Sequence, residues 1–182
     1  MIISFLKYLA VVIILIIASC FIFQPSLLFY KNSTPRMDMQ VYFNGPIHAW
    51  GMVQDWRGVV LRRFEIQMIG TWNDNAGTLE EHFIYDDGQT QDRLWHIKKI
   101  SENLYEGHAA DIVGTAIGET LGNAAKWKYT MTIPIDGKPY HVQFDDWMWM
   151  MSEDVVMNRS YMKKFGIPVG SVTIYMEKQS HI

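Results

Sequence analysis

From Met37 onward apolar and polar side chains alternate one for one, and a period of two restricts a chain to strands packed on one face. The pattern is clearest in two places. Phe64, Ile66 and Met68 interleave with Arg63, Glu65 and Gln67, while Trp127, Tyr129, Met131 and Ile133 interleave with Lys126, Lys128, Thr130 and Thr132. A helix would scatter each set around its circumference, because helical neighbours recur at three and four residues. Further strands are expected over 49–55, 78–85, 93–99, 104–110, 140–150, 154–161 and 169–177. Between them Arg57-Gly58, Asn73-Asp74-Asn75, Asp86-Asp87-Gly88 and Asp136-Gly137-Lys138 supply residues that tolerate the positive φ of tight hairpins. Nine or ten sequential strands without a helix describe an up-and-down meander. An open meander exposes two unpaired edges, whereas a closed one has none and encloses a lined interior. The expected fold is therefore all-β, a single antiparallel up-and-down β-barrel over residues 37–182.

Two stretches break the alternation. Tyr140, Val142 and Phe144 share one face, but Trp147 and Trp149 continue on the opposite parity, which predicts a bulge near Asp145-Asp146. Gly114, Gly118 and Gly122 recur every four residues, a spacing open to a bent strand or to one short helix. It matches neither a phosphate loop nor a dinucleotide turn.

Residues 1–23 follow a different rule. Lys7 precedes an uncharged run from Tyr8 to Phe23, the order of a signal sequence. Ile17-Ala18-Ser19-Cys20 sets small residues before the chain's one cysteine and resembles the lipobox of bacterial lipoproteins. Cleavage before Cys20 and acylation of its sulfur would hold the chain on a bilayer, each buried CH₂ contributing about 0.8 kcal/mol. The apolar character continues through Phe21-Ile22-Phe23, however, and residues 2–23 approach the roughly 20 residues that span a bilayer, so an uncleaved signal-anchor helix is the alternative. Both place the rest of the chain in the cell envelope, facing the periplasm. Phe21 stands where an inner-membrane retention signal has Asp, which favours outer-membrane delivery over a single-pass inner-membrane anchor. Residues 24–36, with Pro25, Asn32, Ser33 and Pro35, read as a linker.

Several function classes are disfavoured. One cysteine allows neither an intrachain disulfide nor a cysteine metal cage. A net charge of −3 without a Lys/Arg cluster lacks the electrostatic term that binds nucleic acid. The sequence carries no Gly-x-Ser-x-Gly and no His-Glu-x-x-His, and its six histidines are dispersed, so neither a metal nor a cofactor is expected. Asp145 and Asp146 beside Trp147 could include a carboxyl with a raised pKa, but adjacent strand residues face opposite ways, which points to structural rather than catalytic use. Arg159 shares parity with Met157 and Tyr161. If that face is interior, its guanidinium needs an anion, supplied by Asp145, Asp146 or a ligand carboxylate. Trp50, Trp72, Trp95, Trp127, Trp147 and Trp149 suit either a cavity wall or plain core.

Taken together, Tyr42-Phe43-Asn44-Gly45-Pro46, Ala49-Trp50-Gly51, Tyr85-Asp86-Asp87-Gly88, Phe144-Asp145-Asp146-Trp147 and Asn158-Arg159-Ser160 resemble the bacterial lipoprotein family called domain of unknown function 3833. The resemblance spans nearly everything after the linker. It implies an envelope lipoprotein with a lipocalin- or calycin-like barrel, in a family without an established activity. The leading expectation is a non-catalytic binder of a lipid-like molecule such as a fatty acid. Arg159, Trp147, Trp127, Trp95, Asp145, Asp146 and His141 are its candidate ligand contacts, and Cys20 is its lipidation site. A second reading is an envelope interaction or assembly module with a solid core. A third is a lipid-modifying enzyme with Asp145, Asp146 or His141 as base.

Overall fold

Alternating side chains fold here into ten consecutive strands, in a computed structural model that describes residue 8, residues 25–135 and residues 137–179. The first five are β1 (Gly45–Asp55), β2 (Val60–Asn73), β3 (Ala76–Tyr85), β4 (Thr90–Ser101) and β5 (Leu104–His108). They are followed by β6 (Ile112–Leu121), β7 (Ala124–Ile135), β8 (Lys138–Met150), β9 (Val155–Lys164) and β10 (Ile167–Lys178). Each pairs antiparallel with the next, and β1 closes on β10 with Trp50 opposite Tyr175. The expected all-β up-and-down barrel is therefore the fold, and closure leaves no strand edge unpaired.

The predicted bulge at Asp145-Asp146 does not form. β8 keeps continuous register with β7, from Ala124 opposite Trp149 to Ile135 opposite Lys138, and with β9 from Gln143 to Met150. Val142, Phe144, Asp146 and Met148 face the interior, and Trp147 and Trp149 face out. Those two indoles stack 5.9 Å apart on the outer wall, where the Tyr30 ring covers them at 6.1 and 6.2 Å. The apolar outer parity of β8 thus reflects a second packing surface. It is made by the stretch read as a linker, whose one 3-10 turn (Leu27–Tyr30) lies against β6 and β7.

The chain next turns into one end of the barrel. Met37 N–H donates to Gly122 O at 2.8 Å, and Asp38 caps a one-turn helix α1 (Met39–Tyr42), its carboxylate accepting from Gln40 N at 2.9 Å and Val41 N at 3.3 Å. Met37, Met39, Tyr42 and Phe43 are buried as a plug. Tyr42 OH donates to Met176 O at 3.1 Å, and Trp72 Nε1 donates to Phe43 O at 3.0 Å. A side chain at Gly70 would place its Cβ 1.8 Å from Phe43 O, so the plug seats only against glycine.

Gly114 and Gly118 lie in strand β6, which has a register irregularity between Val113 and Ile117, and Gly122 lies in the turn that follows it. Gly118 lies directly beneath Trp127, where a Cβ would stand 2.5 Å from the indole. Among the described residues no helix is long and apolar enough to cross a membrane. Cys20, nearly all of the apolar leader and Asp136 lie outside the described residues.

Candidate functional site: the barrel cavity

Opposite the plug, the hairpins β1–β2, β3–β4, β5–β6, β7–β8 and β9–β10 surround the mouth of a cavity of about 330 Å³. Period two builds its walls: Phe64 and Ile66 of β2, Leu79 and Phe83 of β3, and Val172 and Ile174 of β10 all project inward. Trp95 and Trp127 stand in the wall. The Trp95 ring meets Tyr129 edge-on at 5.7 Å, and Tyr129 stacks on Phe144 at 5.0 Å with an interplanar angle of 10°.

Two polar clusters interrupt this apolar surface. In the first, Arg93 donates from Nε to Asp111 Oδ2 at 3.0 Å and from Nη1 to Glu81 Oε2 at 3.4 Å, with its guanidinium 5.1 Å from the Phe83 ring. Burial works against the Arg93 cation, but the Glu81 and Asp111 carboxylates outweigh it and hold its pKa above the ordinary value. Burial also pushes the Glu81 carboxyl above the usual carboxylate range, against the pull of Arg93. The second oxygen of Asp111, Oδ1, is buried without a hydrogen-bond partner in the protein.

The second cluster is centred on Asp146. Ser160 Oγ donates to Asp146 Oδ1 at 2.7 Å, Asn158 Nδ2 donates to the same oxygen, and Tyr129 OH donates to Oδ2 at 3.3 Å. Asn158 Nδ2 also reaches Trp147 O at 2.9 Å. Burial raises the Asp146 pKa despite the Ser160, Asn158 and Tyr129 bonds that favour its anion. Burial, with Asp146 beside it, lifts the Tyr129 phenol well above its ordinary value, so Tyr129 remains a neutral donor. At the mouth, Arg62 lies 3.4 Å over the Tyr85 ring and donates to both Asp87 oxygens at 2.9 Å. Among the described residues the cavity wall carries two cations, Arg62 and Arg93, and carboxylates hold both.

Other sequence candidates lie elsewhere. Arg159 is exposed, opposite Trp147 in the β8–β9 ladder, and its guanidinium sits 5.5 Å from the Tyr161 ring. Val155, Met157 and Tyr161 make that parity look interior, but Val156, Asn158, Ser160 and Met162 are the inward set. Trp147 belongs to the outer wall beneath Tyr30, as does Asp145, which pairs with Lys126 at 3.1 Å while the Lys126 ammonium sits 4.4 Å over the Trp147 ring. His141 is exposed on the outer face, with Nδ1 3.2 Å from Thr132 Oγ1. The sequence reading missed Glu81, Arg93, Asp111, Tyr129, Asn158 and Ser160. Parity was the available signal for two of them: Glu81 falls in phase with Leu79 and Phe83, and Arg93 in phase with Trp95 and Ile97.

A closed meander with a lined and partly polar interior defines a class, the lipocalin-like barrels. The model of a protein family of unknown function, DUF3833, matches residues 14–178, and the chain belongs to that family. No curated protein matches it. Among solved structures it is similar to the S-type phycobiliprotein lyase CPES from Guillardia theta. That likeness has a TM-score of 0.56 at 9% identity and covers 81% of this chain and 96% of the lyase, a likeness of fold.

Proposed function

We propose that this barrel is a non-catalytic binder of an apolar, lipid-like molecule whose polar end is uncharged and donates a hydrogen bond. The observation that carries the reading is the cavity itself. Its volume of about 330 Å³ lies within the roughly 300–1,000 Å³ range of small-molecule sites, and it has apolar walls and few polar anchors. Anchor chemistry narrows the ligand. Because Arg62 is held by Asp87 and Arg93 by Glu81 and Asp111, a fatty-acid carboxylate would enter a wall that carries Glu81, Asp111 and Asp146 and displace an existing ion pair. A hydroxyl or amide donor would instead satisfy the orphaned Asp111 Oδ1. The likeness to a phycobiliprotein lyase supports the reading only in that another barrel of this shape belongs to a protein that acts on a phycobiliprotein.

Native mass spectrometry of the full chain, extracted from membranes and released from detergent, tests this reading. The protein should carry an uncharged apolar adduct, and Val172→Trp, which pushes an indole into the cavity, should lose it while keeping a β-type circular dichroism spectrum. The bare mass in both proteins, or an adduct that survives Val172→Trp, sinks the binder. The unfilled interior argues against the solid-core assembly module. Of the three candidate bases only Asp146 reaches the cavity, where three donors already occupy it. The proposal keeps the barrel in the envelope, tethered through acylated Cys20 or an uncleaved leader. Intact mass with and without Cys20→Ser separates those two.

A further inference from the structure

The rim of the cavity mouth carries its most exposed large apolar side chains on one arc, while on the other Val113 beside the β5–β6 hairpin is 47% exposed. Trp56 at the β1–β2 tip is 74% exposed, Phe165 at the β9–β10 tip is 88% exposed, and Ile167 and Leu61 beside them are each 65% exposed. These hairpins are neighbours, because β1 pairs with β10 and β10 with β9. Ile135, 49% exposed, continues the arc at the β7–β8 turn one strand further round. Across the mouth the β3–β4 tip is Asp86-Asp87-Gly88, with its acids tied to Arg63 and Arg62. Greasy tips so placed are unusual on a protein that meets only water.

Phe165 sharpens the point. It holds φ +51 at the first turn position with Gly166 at φ +78, a hairpin turn that Asn-Gly fills without strain. A bulky ring at a left-handed position is unfavourable, and this one packs against nothing large enough to hide it. The fold therefore does not require phenylalanine there. Cations accompany the apolar tips: Arg57, Lys138, Lys163 and Lys164 lie in or beside these three hairpins, with Asp55 next to Arg57. Asp55 is already bound to Arg57 at 2.9 Å, and the Lys164 ammonium sits 4.9 Å from the Phe165 ring. Aromatic and aliphatic tips flanked by lysines have the composition of a surface that seats in the headgroup layer of an anionic bilayer.

The geometry points to docking of this arc on an anionic lipid bilayer, with Trp56, Phe165 and Ile167 inserted among the headgroups and the cavity mouth held at the lipid surface. A lipid-like molecule could then pass between membrane and cavity without crossing water. The docking surface stands whether or not the cavity binds a ligand, and the two are read by different signals.

The test uses the full chain as Cys20→Ser, Phe165→Cys, labelled with an NBD fluorophore and reconstituted into vesicles of phosphatidylcholine with a minority of phosphatidylglycerol. Headgroup-linked nitroxide lipid is placed either in the host membrane or in added vesicles. In at least one arm roughly half or more of the NBD emission should be quenched, since an interfacial insertion reaches only about 5–10 Å into the lipid. Adding Trp56→Asp and Ile167→Asp, with the barrel's circular dichroism unchanged, should abolish the quenching. An NBD group that stays bright in both arms overturns the proposal, and so does quenching that survives the double substitution. Energy transfer between two labelled chains in detergent, without quenching by lipid, reassigns the arc to a self-contact and overturns it as well.

Discussion

At one end of the barrel Phe43 is 2% exposed, wedged over Gly70 and bonded through its carbonyl to Trp72; at the other Phe165 is 88% exposed on a hairpin tip. Both residues are phenylalanines beside a tight turn of the same barrel, yet only one contributes to the core. Fully burying such a side chain stabilises a fold by about 1.5–3 kcal/mol. Met37, Met39, Tyr42 and Phe43 collect that gain at the closed end, whereas Trp56, Leu61, Phe165 and Ile167 forgo it at the mouth. Stability and access are thus separated along the barrel axis. The plug sets how firmly the strands hold together, and the rim is free to serve what the cavity meets.

The largest effect that would sharpen this contrast lies in the plug. Phe43→Ala removes a buried ring and leaves a void against Gly70 and Trp72, and is expected to cost roughly 3–5 kcal/mol in urea unfolding followed by tryptophan fluorescence. Gly70→Val should be at least as damaging, because its Cβ would collide with a backbone carbonyl that cannot swing aside. A loss under about 1 kcal/mol for Phe43→Ala would show that the plug is a removable lid and break the division between the two ends.

A smaller effect belongs to the cavity between them. Asp146→Ala leaves Asn158, Ser160 and Tyr129 without their shared acceptor and is expected to cost about 1–3 kcal/mol. Asp146→Asn keeps an acceptor oxygen and should cost less. Its signature is in pH. Burial raises the folded pKa of Asp146 above its unfolded value near 4. Between those two values the folded state holds more protons, so this group stabilises the fold fully below the unfolded pKa, and that contribution is lost as pH rises through the folded pKa. Asp146→Asn should therefore flatten the fall in stability above about pH 4. Glu81, raised in the same direction, supplies a slope that remains. Urea unfolding from pH 4 to 8 on both proteins checks this; parallel curves would show that Asp146 ionises as freely inside the cavity as in the unfolded chain.

The closed meander was legible because alternation survives in strands such as β2 and β7, where one face is apolar and the other wet. It failed wherever the outer face was also covered. In β8 the indoles of Trp147 and Trp149 carry the apolar signal on the outside, under Tyr30, and the sequence alone offered a bulge as the simplest way to reconcile two parities. In β9 the interior holds Asn158 and Ser160, so the outward set of Val155, Met157 and Tyr161 looked more like core and carried Arg159 inward with it. β6 gave no pattern because Gly118, on its inward parity, carries no side chain and so leaves room for Trp127. A charged residue on an apolar parity, as at Glu81 and Arg93, was the overlooked mark of the cavity, since solvent-facing charge obeys the alternation and charge inside the barrel breaks it.

The smallest expected effect is the one that opposes intuition. Phe165→Asn turns the β9–β10 tip into Asn-Gly, whose preferred conformation matches the φ values of +51 and +78 already present. Removing a large apolar side chain here should stabilise the barrel by roughly 0.5–1 kcal/mol, because relief of the left-handed strain is not offset by any lost burial. The same substitution should weaken retention of the rim on anionic vesicles, read from an NBD label placed at position 56 through Trp56→Cys in a Cys20→Ser chain. A rise in stability with a loss of docking is what a residue retained for the membrane produces. If Phe165→Asn instead destabilises the barrel by more than about 1 kcal/mol, the ring contributes to the fold, and the two ends of the barrel differ less than their exposures suggest.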